Sequence, residues 1–200
     1  MTIDVVVARF NEDLGWTAKL RDDARVLFYD KGECRCLGST RLPNVGREAH
    51  TYFWHIVDNY MRFPDWTFFT QGDPNRHMPF SHLQGIINGF PATWFRSALW
   101  IESGPMFFVN RPVCFEGVTE GENQEKGVGD VWRELFEGEP PVAMVFAPAA
   151  IFAISRARLE SRSLSFYKLA MELASRRARG AWEFERLWAY LWTSSAATKL

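Results

Sequence analysis

The apolar positions of this chain fall into short compact runs that alternate with polar loops and with stretches of helical period. Ile3 to Ala8 is β-branched and compact, which predicts a buried strand. It runs into Arg9-Phe10-Asn11-Glu12-Asp13, after which Leu14 to Leu20 predicts the start of a helix. Ala24 to Tyr29 predicts a second buried strand, which ends in Asp30-Lys31-Gly32. Strand, helix and strand in such close succession are the signature of a parallel α/β unit.

The next stretch, Leu42 to His82, holds all four histidines, His50, His55, His77 and His82. A polar turn, Asn44-Val45-Gly46-Arg47-Glu48, precedes Thr51 to Tyr60, where Tyr52, Phe53, Ile56, Val57 and Tyr60 follow the 3.6-residue period of an amphipathic helix. His55 shares that apolar face, so it reads as a packed histidine. Trp66 to Thr70 predicts a third strand, which empties into Gln71-Gly72-Asp73-Pro74-Asn75. Open α/β sheets present ligand-binding residues in such loops, at the carboxyl ends of their strands. Phe80 to Phe90 predicts a short helix stopped at Gly89 and Pro91.

Beyond Pro91 the period weakens. Trp94 to Ile101 fits either strand or helix. Met106 to Asn110 and Val113 to Phe115 predict strands flanking Arg111-Pro112, in the manner of a hairpin. Glu116 to Asp130 is rich in Gly and Glu and predicts a surface loop of the kind that acts as a lid. Val131 to Phe136 predicts a turn or two of helix. Val142 to Phe146 and Ala150 to Ile154 are apolar runs, and Ser155 suits the N-cap of the segment after it. Ser165 to Arg177 and Trp182 to Trp192 predict two amphipathic helices. The pattern as a whole predicts one α/β domain with a mostly parallel central sheet flanked by helices.

Composition narrows the function. Of 200 residues, 47% are hydrophobic and 24% charged, an ordinary globular balance that buries a core without staples. A net charge of −1 excludes a global electrostatic footprint for nucleic acid or anionic membrane. Locally, Arg176-Arg177-Ala178-Arg179 reads either as a phosphate-contacting patch or as a solvated helix end. Three cysteines cannot pair off completely, and Cys34-Arg35-Cys36 lacks the second pair of a zinc site. No secretory signal or bilayer-length apolar run is present, so a soluble cytoplasmic protein with reduced thiols and no membrane partner is expected.

Three separated stretches carry a resemblance: VVVARFNEDLGW, LPNVGREAHTYFWHIVDNY with FFTQGDP, and AAIFAISRARL with WEFERLW. Together they resemble an uncharacterised family of glycosyltransferase-like proteins. The resemblance implies a GT-A-like fold, in which an α/β sheet holds a nucleotide sugar. It implies that Arg9, Asn11 and Glu12, after the first strand, meet the donor nucleotide. Asp30 and Lys31, after the second strand, should reach the same edge by topology. Asn44, Gly46 and Arg47 open a helix, whose free N–H groups suit an anion. Gln71 and Asp73 stand where GT-A enzymes usually carry an Asp-x-Asp metal motif, of which one carboxylate remains. Mg²⁺ or Mn²⁺ could bind through Asp73, with His77 as an added ligand. Glu185, beside Arg186, is the carboxylate expected to deprotonate the acceptor hydroxyl.

The leading expectation is therefore a nucleotide-sugar-dependent glycosyltransferase acting on a hydroxyl acceptor: a glycan, a metabolite or a modified base in DNA. A non-catalytic nucleotide- or carbohydrate-binding module on the same fold is the alternative. A metal-dependent hydrolase around Asp73, His77 and His82 ranks last, for want of a second carboxylate.

Overall fold

The computed structural model describes residues 1–34, 36–92, 98–101, 104–110, 113–116 and 126–192. Seven strands form one sheet: β1 (Ile3–Arg9), β2 (Ala24–Asp30), β3 (Thr40–Arg41), β4 (Trp66–Gln71), β5 (Ala98–Ile101), β6 (Gly104–Phe108) and β9 (Phe152–Ser155). Their order is β3-β2-β1-β4-β9-β6-β5. β1 runs parallel to both β2 and β4, and β2 is parallel to β3. β9 is antiparallel to β4 and to β6, and β5 is antiparallel to β6. Thus β3, β2, β1, β4 and β6 share one direction, and the sheet is α/β and mostly parallel as expected.

The continuous apolar runs of β1 and β4 follow from burial on both faces. Val6 and Phe69 face one cluster with Tyr52, Phe53, Phe152, Phe184 and Trp188, all nearly or wholly buried. Val5, Val7 and Phe68 face the other, with Leu83, Ile87 and Trp16. The first cluster packs under α1 (Arg47–Asp58), α5 (Leu164–Arg176) and α6 (Gly180–Leu187). The second lies under α2 (Phe80–Gly89) and a 3-10 turn at Gly15–Lys19, which stands where a longer helix was expected. Truncating a buried ring such as Phe152 or Trp188 to alanine should cost about 3–5 kcal/mol.

His55 is fully buried and hydrogen-bonds through Nδ1 to the Tyr29 hydroxyl at 2.8 Å, the packed role its apolar face predicts. Burial holds its imidazole near pKa 3, so it stays neutral.

The carboxyl half departs from expectation in three places. The strands near Met106 and Val113 form no hairpin: β6 lies inside the main sheet, whereas β7 (Val113–Glu116) pairs with β8 (Ala143–Phe146) in a second, two-stranded sheet. Met106, Phe107 and Phe108 are buried, while Val113 is exposed, so the two segments answer to different environments. Helix α3 (Lys126–Leu135) takes the end of the expected loop at 116–130, because Val128, Val131 and Trp132 supply a buried helical stripe. Residues 117–125 of that loop, Arg111-Pro112 and residues 93–97 lie outside the described residues. Ser155 does stand at the N-cap of α4 (Arg156–Glu160), but its side chain makes no capping bond. Among the described residues no helix is long and apolar enough to cross a membrane.

Candidate functional site

The sheet order places β1 between β2 and β4, so the chain leaves β1 toward one side and returns on the other. Such a switch in direction opens a crevice beyond the carboxyl ends of the strands. The cleft found there has a volume of ≈360 Å³ and is lined by Ala8, Arg9, Phe10 and Glu12 after β1, Lys31 after β2, and Gln71, Asp73 and Arg76 after β4. Asn44, Arg47, Glu48 and Thr51 close it from the start of α1. Of the residues singled out in the sequence, the cleft gathers Arg9, Glu12, Lys31, Asn44, Arg47, Gln71 and Asp73. Asn11, Asp30, Gly46, His77 and Glu185 are not among its lining residues.

Asp30 is a structural hub. Its buried carboxylate accepts the Gly32 and Cys36 N–H groups at 3.0 and 3.2 Å and pairs with Arg9 at 2.8 Å and Arg41 at 3.3 Å. Burial alone would push its carboxyl pKa up, but the two N–H groups and Arg9 outweigh it and hold the pKa below the usual value. Arg9 also donates to the Cys34 carbonyl at 2.8 Å and the Glu12 carbonyl at 3.0 Å. Its guanidinium therefore orders the two loops beside the cleft; a ligand phosphate would meet an arginine already engaged. Asn11 accepts from the Cys34 N–H at 3.0 Å and serves the same turn.

Lys31 is 6% exposed, and its Nζ donates to the carbonyls of Val45 (2.6 Å) and Arg47. Burial lowers its pKa to about 7 against the pull of Glu48. The Glu48 carboxyl is pushed above its usual value, chiefly by burial, with Glu185 adding repulsion and Arg47 and Lys31 opposing. The cleft thus holds an amine and a carboxyl whose pKa values burial displaces toward each other. Glu48 was legible only as part of a turn, since a first-turn glutamate also suits the helix dipole.

Gly46 and Arg47 adopt left-handed φ values of 57° and 46°, so the entry to α1 is strained at a residue other than glycine. The Arg47 side chain is 80% exposed, 3.6 Å from Glu48. Arg76, which sequence reasoning passed over, is equally exposed and lies 3.6 Å from Asp73. Two exposed arginines therefore line the cleft, Arg47 at the start of α1 and Arg76 after β4.

Asp73 accepts from the Asn75 N–H at 3.1 Å. Glu12 accepts from the Phe10 N–H at 2.5 Å and the Asn11 N–H at 3.2 Å. A Cβ at Gly72 would lie 2.7 Å from the Glu12 carboxylate, so only glycine admits that carboxylate beside the end of β4. His77 and His82 are exposed outside the cleft. Among the described residues no three His, Cys, Asp or Glu side chains gather as a ready-made metal cage.

Glu185 and Gln71 share another task. Ala149 and Ala150 have φ values of 88° and 50°, two consecutive left-handed residues that are not glycine. Glu185 accepts the Ala149 N–H at 2.5 Å, and Gln71 donates to the Ala149 carbonyl at 3.0 Å. Tyr52 and Asn110 bind the Ala150 and Pro148 carbonyls at 3.0 and 2.9 Å. Four side chains hold this turn in a conformation it would not keep alone. The other Glu185 oxygen is 3.3 Å from Arg186.

A family model described as "Protein of unknown function (DUF3431)" matches residues 5–83. Every lining residue of the cleft falls within that stretch. No curated protein and no solved structure matches the chain.

Proposed function

We propose that the cleft binds a nucleotide sugar and that the protein transfers the sugar to a hydroxyl acceptor on a GT-A-like sheet. The observation that carries this reading is the position of the cleft at the switch point, where arginines and carboxylates from the ends of β1 and β4 and the start of α1 line one space. Arg47, Arg76 and the N-terminus of α1 are suited to the donor's diphosphate. Glu12 and Asp73 line the same cleft, Asp73 beside Arg76 in the turn after β4. Those two carboxylates fit a hard divalent cation, since Mg²⁺ and Mn²⁺ sites commonly combine one or two carboxylates with substrate phosphates and water. Such an ion, when bound, would neutralise charge on the leaving diphosphate.

Transfer requires that the bond from the anomeric carbon to the diphosphate oxygen break, with its electron pair leaving on the nucleoside diphosphate. The acceptor oxygen forms the new bond and surrenders its proton. Glu48 is the carboxylate best placed to take that proton, because it lines the cleft and its burial raises its basicity. Glu185, the residue expected for this role, is occupied by the Ala149 N–H and Arg186 and holds the Ala149–Ala150 turn instead.

A thermal-shift titration with UDP, GDP and their sugar conjugates, with and without Mn²⁺, tests the reading. A ligand at a hundred times its Kd stabilises by about 2.7 kcal/mol, or roughly 5–10 °C for a chain of this size. Shifts that persist unchanged in a double variant, Arg47→Gln with Asp73→Asn, would place binding elsewhere. Glu48→Gln should keep the nucleotide shift and lower transfer by about 10²–10⁴-fold. Nucleotide binding without transfer to any acceptor would point to a binding module in place of an enzyme.

A further inference from the structure

The basic run at residues 176–179 has no part in the donor cleft, yet it borders a second concavity. A groove of ≈320 Å³ lies between the entry to α1 and the turn joining α5 to α6, lined by Gly46, Arg47, Arg177, Arg179, Gly180 and Trp182 among others. Arg47 lines both spaces, so groove and cleft adjoin. The cleft mixes arginines with three carboxylates, whereas among the described residues the lining of the groove contains arginines and no acidic residue.

The three arginines are not equivalent. Arg177 is bound through two nitrogens to the buried Glu183, at 2.6 and 3.0 Å, with Asp130 and Glu134 also near at 3.8 and 3.7 Å. It is largely neutralised and serves as a wall. Arg179 is exposed, and its guanidinium sits 4.5 Å from the centre of the Trp182 ring; among the described residues no carboxylate pairs with it. Stacking orients its planar fork while leaving its N–H groups in the plane free to bind. With Arg47, the groove therefore presents two exposed guanidinium groups.

Backbone geometry adds to the same field. A Cβ on Gly46 or on Gly180 would fall 2.5 or 2.6 Å from one and the same atom, the Ala174 carbonyl oxygen. Both glycines are pressed against that oxygen, so the N-termini of α1 and α6 are brought together. The helical bonds begin with His50 N–H to Gly46 and Glu183 N–H to Arg179, which leaves the N–H groups of Ala181 and Trp182 ahead of the α6 ladder. The starts of α1 and α6 and two exposed arginines converge on one concavity beside the donor cleft, with the carboxyl end of α5 packed behind the two glycines.

We infer that this groove binds the phosphate group of a phosphorylated acceptor, such as a sugar monophosphate, and so presents the acceptor's hydroxyl to the cleft. The assignment of the bound molecule as acceptor rests on the transferase reading above; phosphate recognition by the groove does not. A phosphomonoester matches the groove because it offers two negative charges and several acceptor oxygens to a forked donor.

Calorimetric titration of the full chain with glucose 6-phosphate, glucose and inorganic phosphate, with UDP titrated in parallel, decides the matter. Saturable binding of glucose 6-phosphate is expected, with inorganic phosphate weaker but competitive and glucose inert. Arg179→Gln, at an exposed position outside the cleft, should weaken glucose 6-phosphate about ten-fold or more while leaving UDP affinity within two-fold. Unchanged glucose 6-phosphate affinity in the variant, equal binding of glucose, or no saturable phosphate-dependent binding would each overturn the groove assignment. Inorganic phosphate binding as tightly as the sugar phosphate would overturn the acceptor role. Phosphate binding that depends on Arg179 without any nucleotide binding would keep the groove and remove the transferase reading, so the two failures are distinguishable.

Discussion

The glycine at the entry to α1 combines a left-handed backbone with close packing, and a graded series of Gly→Ala changes measures both. At Gly46 the added Cβ faces two penalties. The left-handed φ of 57° disfavours an L side chain by about 1–2 kcal/mol. The Cβ would also lie 2.5 Å from the Ala174 carbonyl oxygen and 2.8 Å from the His50 Cβ. Neither atom is the free end of a flexible side chain, so helices must move apart, and overpacking of that kind costs about 1–3 kcal/mol. Gly46→Ala should therefore destabilise by about 2–5 kcal/mol, a large share of the roughly 5–15 kcal/mol that holds an ordinary domain. Gly38 has φ 77° with nothing within 4 Å of a Cβ, so Gly38→Ala isolates the conformational part, about 1–2 kcal/mol. Gly85 lies in α2 with open space around it, and Gly85→Ala should stabilise by about 0.5–1 kcal/mol. Urea unfolding of the four proteins at matched m-values reads the series. The Gly46 variant should also lose both nucleotide and sugar phosphate binding, because cleft and groove share that helix entry. A Gly46→Ala protein no less stable than Gly38→Ala would refute the close approach of α1 to Ala174.

Two further outcomes rest on the electrostatics and the clamped turn. Lys31 has a folded pKa of about 7 against an ordinary 10.5, so the unfolded chain binds the extra proton between those values. Its contribution to stability is fully present above about pH 10.5 and is lost as pH falls to about 7; relative to Lys31→Met, wild-type stability should rise with pH across that window by up to about 1.4 kcal/mol per pH unit. A flat wild-type-minus-variant difference in pH-dependent denaturation would show that the amine titrates normally. Glu185→Ala removes the acceptor of the Ala149 N–H and should destabilise by about 1–3 kcal/mol, whereas Glu185→Gln keeps an oxygen there and should cost less than about 1 kcal/mol. Loss of transfer in a stable Glu185→Gln protein would return the base role to Glu185.

What could be read from the chain and what could not divide along physical lines. β1 and β4 were legible because each has neighbours on both sides and is buried on both faces, so the runs are continuously apolar and short; β2 carries a similar run although Ala24 to Phe28 are only half-buried or exposed. The loops after them were legible by topology as neighbours around one cleft. The carboxyl half was not, because its strands are placed by partners far away in sequence: β9 enters between β4 and β6 through pairs such as Phe68 with Ala153. An apolar tetrapeptide carries no mark of which neighbour it will choose, and adjacency in the chain wrongly suggested a hairpin.

Charged loop residues pose the harder problem, since a side chain that meets a ligand and one that meets its neighbour can be spelled alike. Arg9 and Asp30 sit opposite each other in the β1–β2 register, and that pairing turned two expected ligand contacts into one internal hub. Nothing local to either residue announces it. Glu185 shows the same from a greater distance: its partner is the N–H of Ala149, in a turn whose left-handed backbone is written in alanines. Had that turn been glycine it would have been visible as a turn, but it would also have folded without help. Alanine there makes the turn depend on Glu185, Gln71, Tyr52 and Asn110, which come from α6, β4, α1 and the loop after β6. The turn is therefore set in part by β4 and α1, which also line the cleft, so a shift in the cleft can reach the Glu185 end through Gln71 and Tyr52.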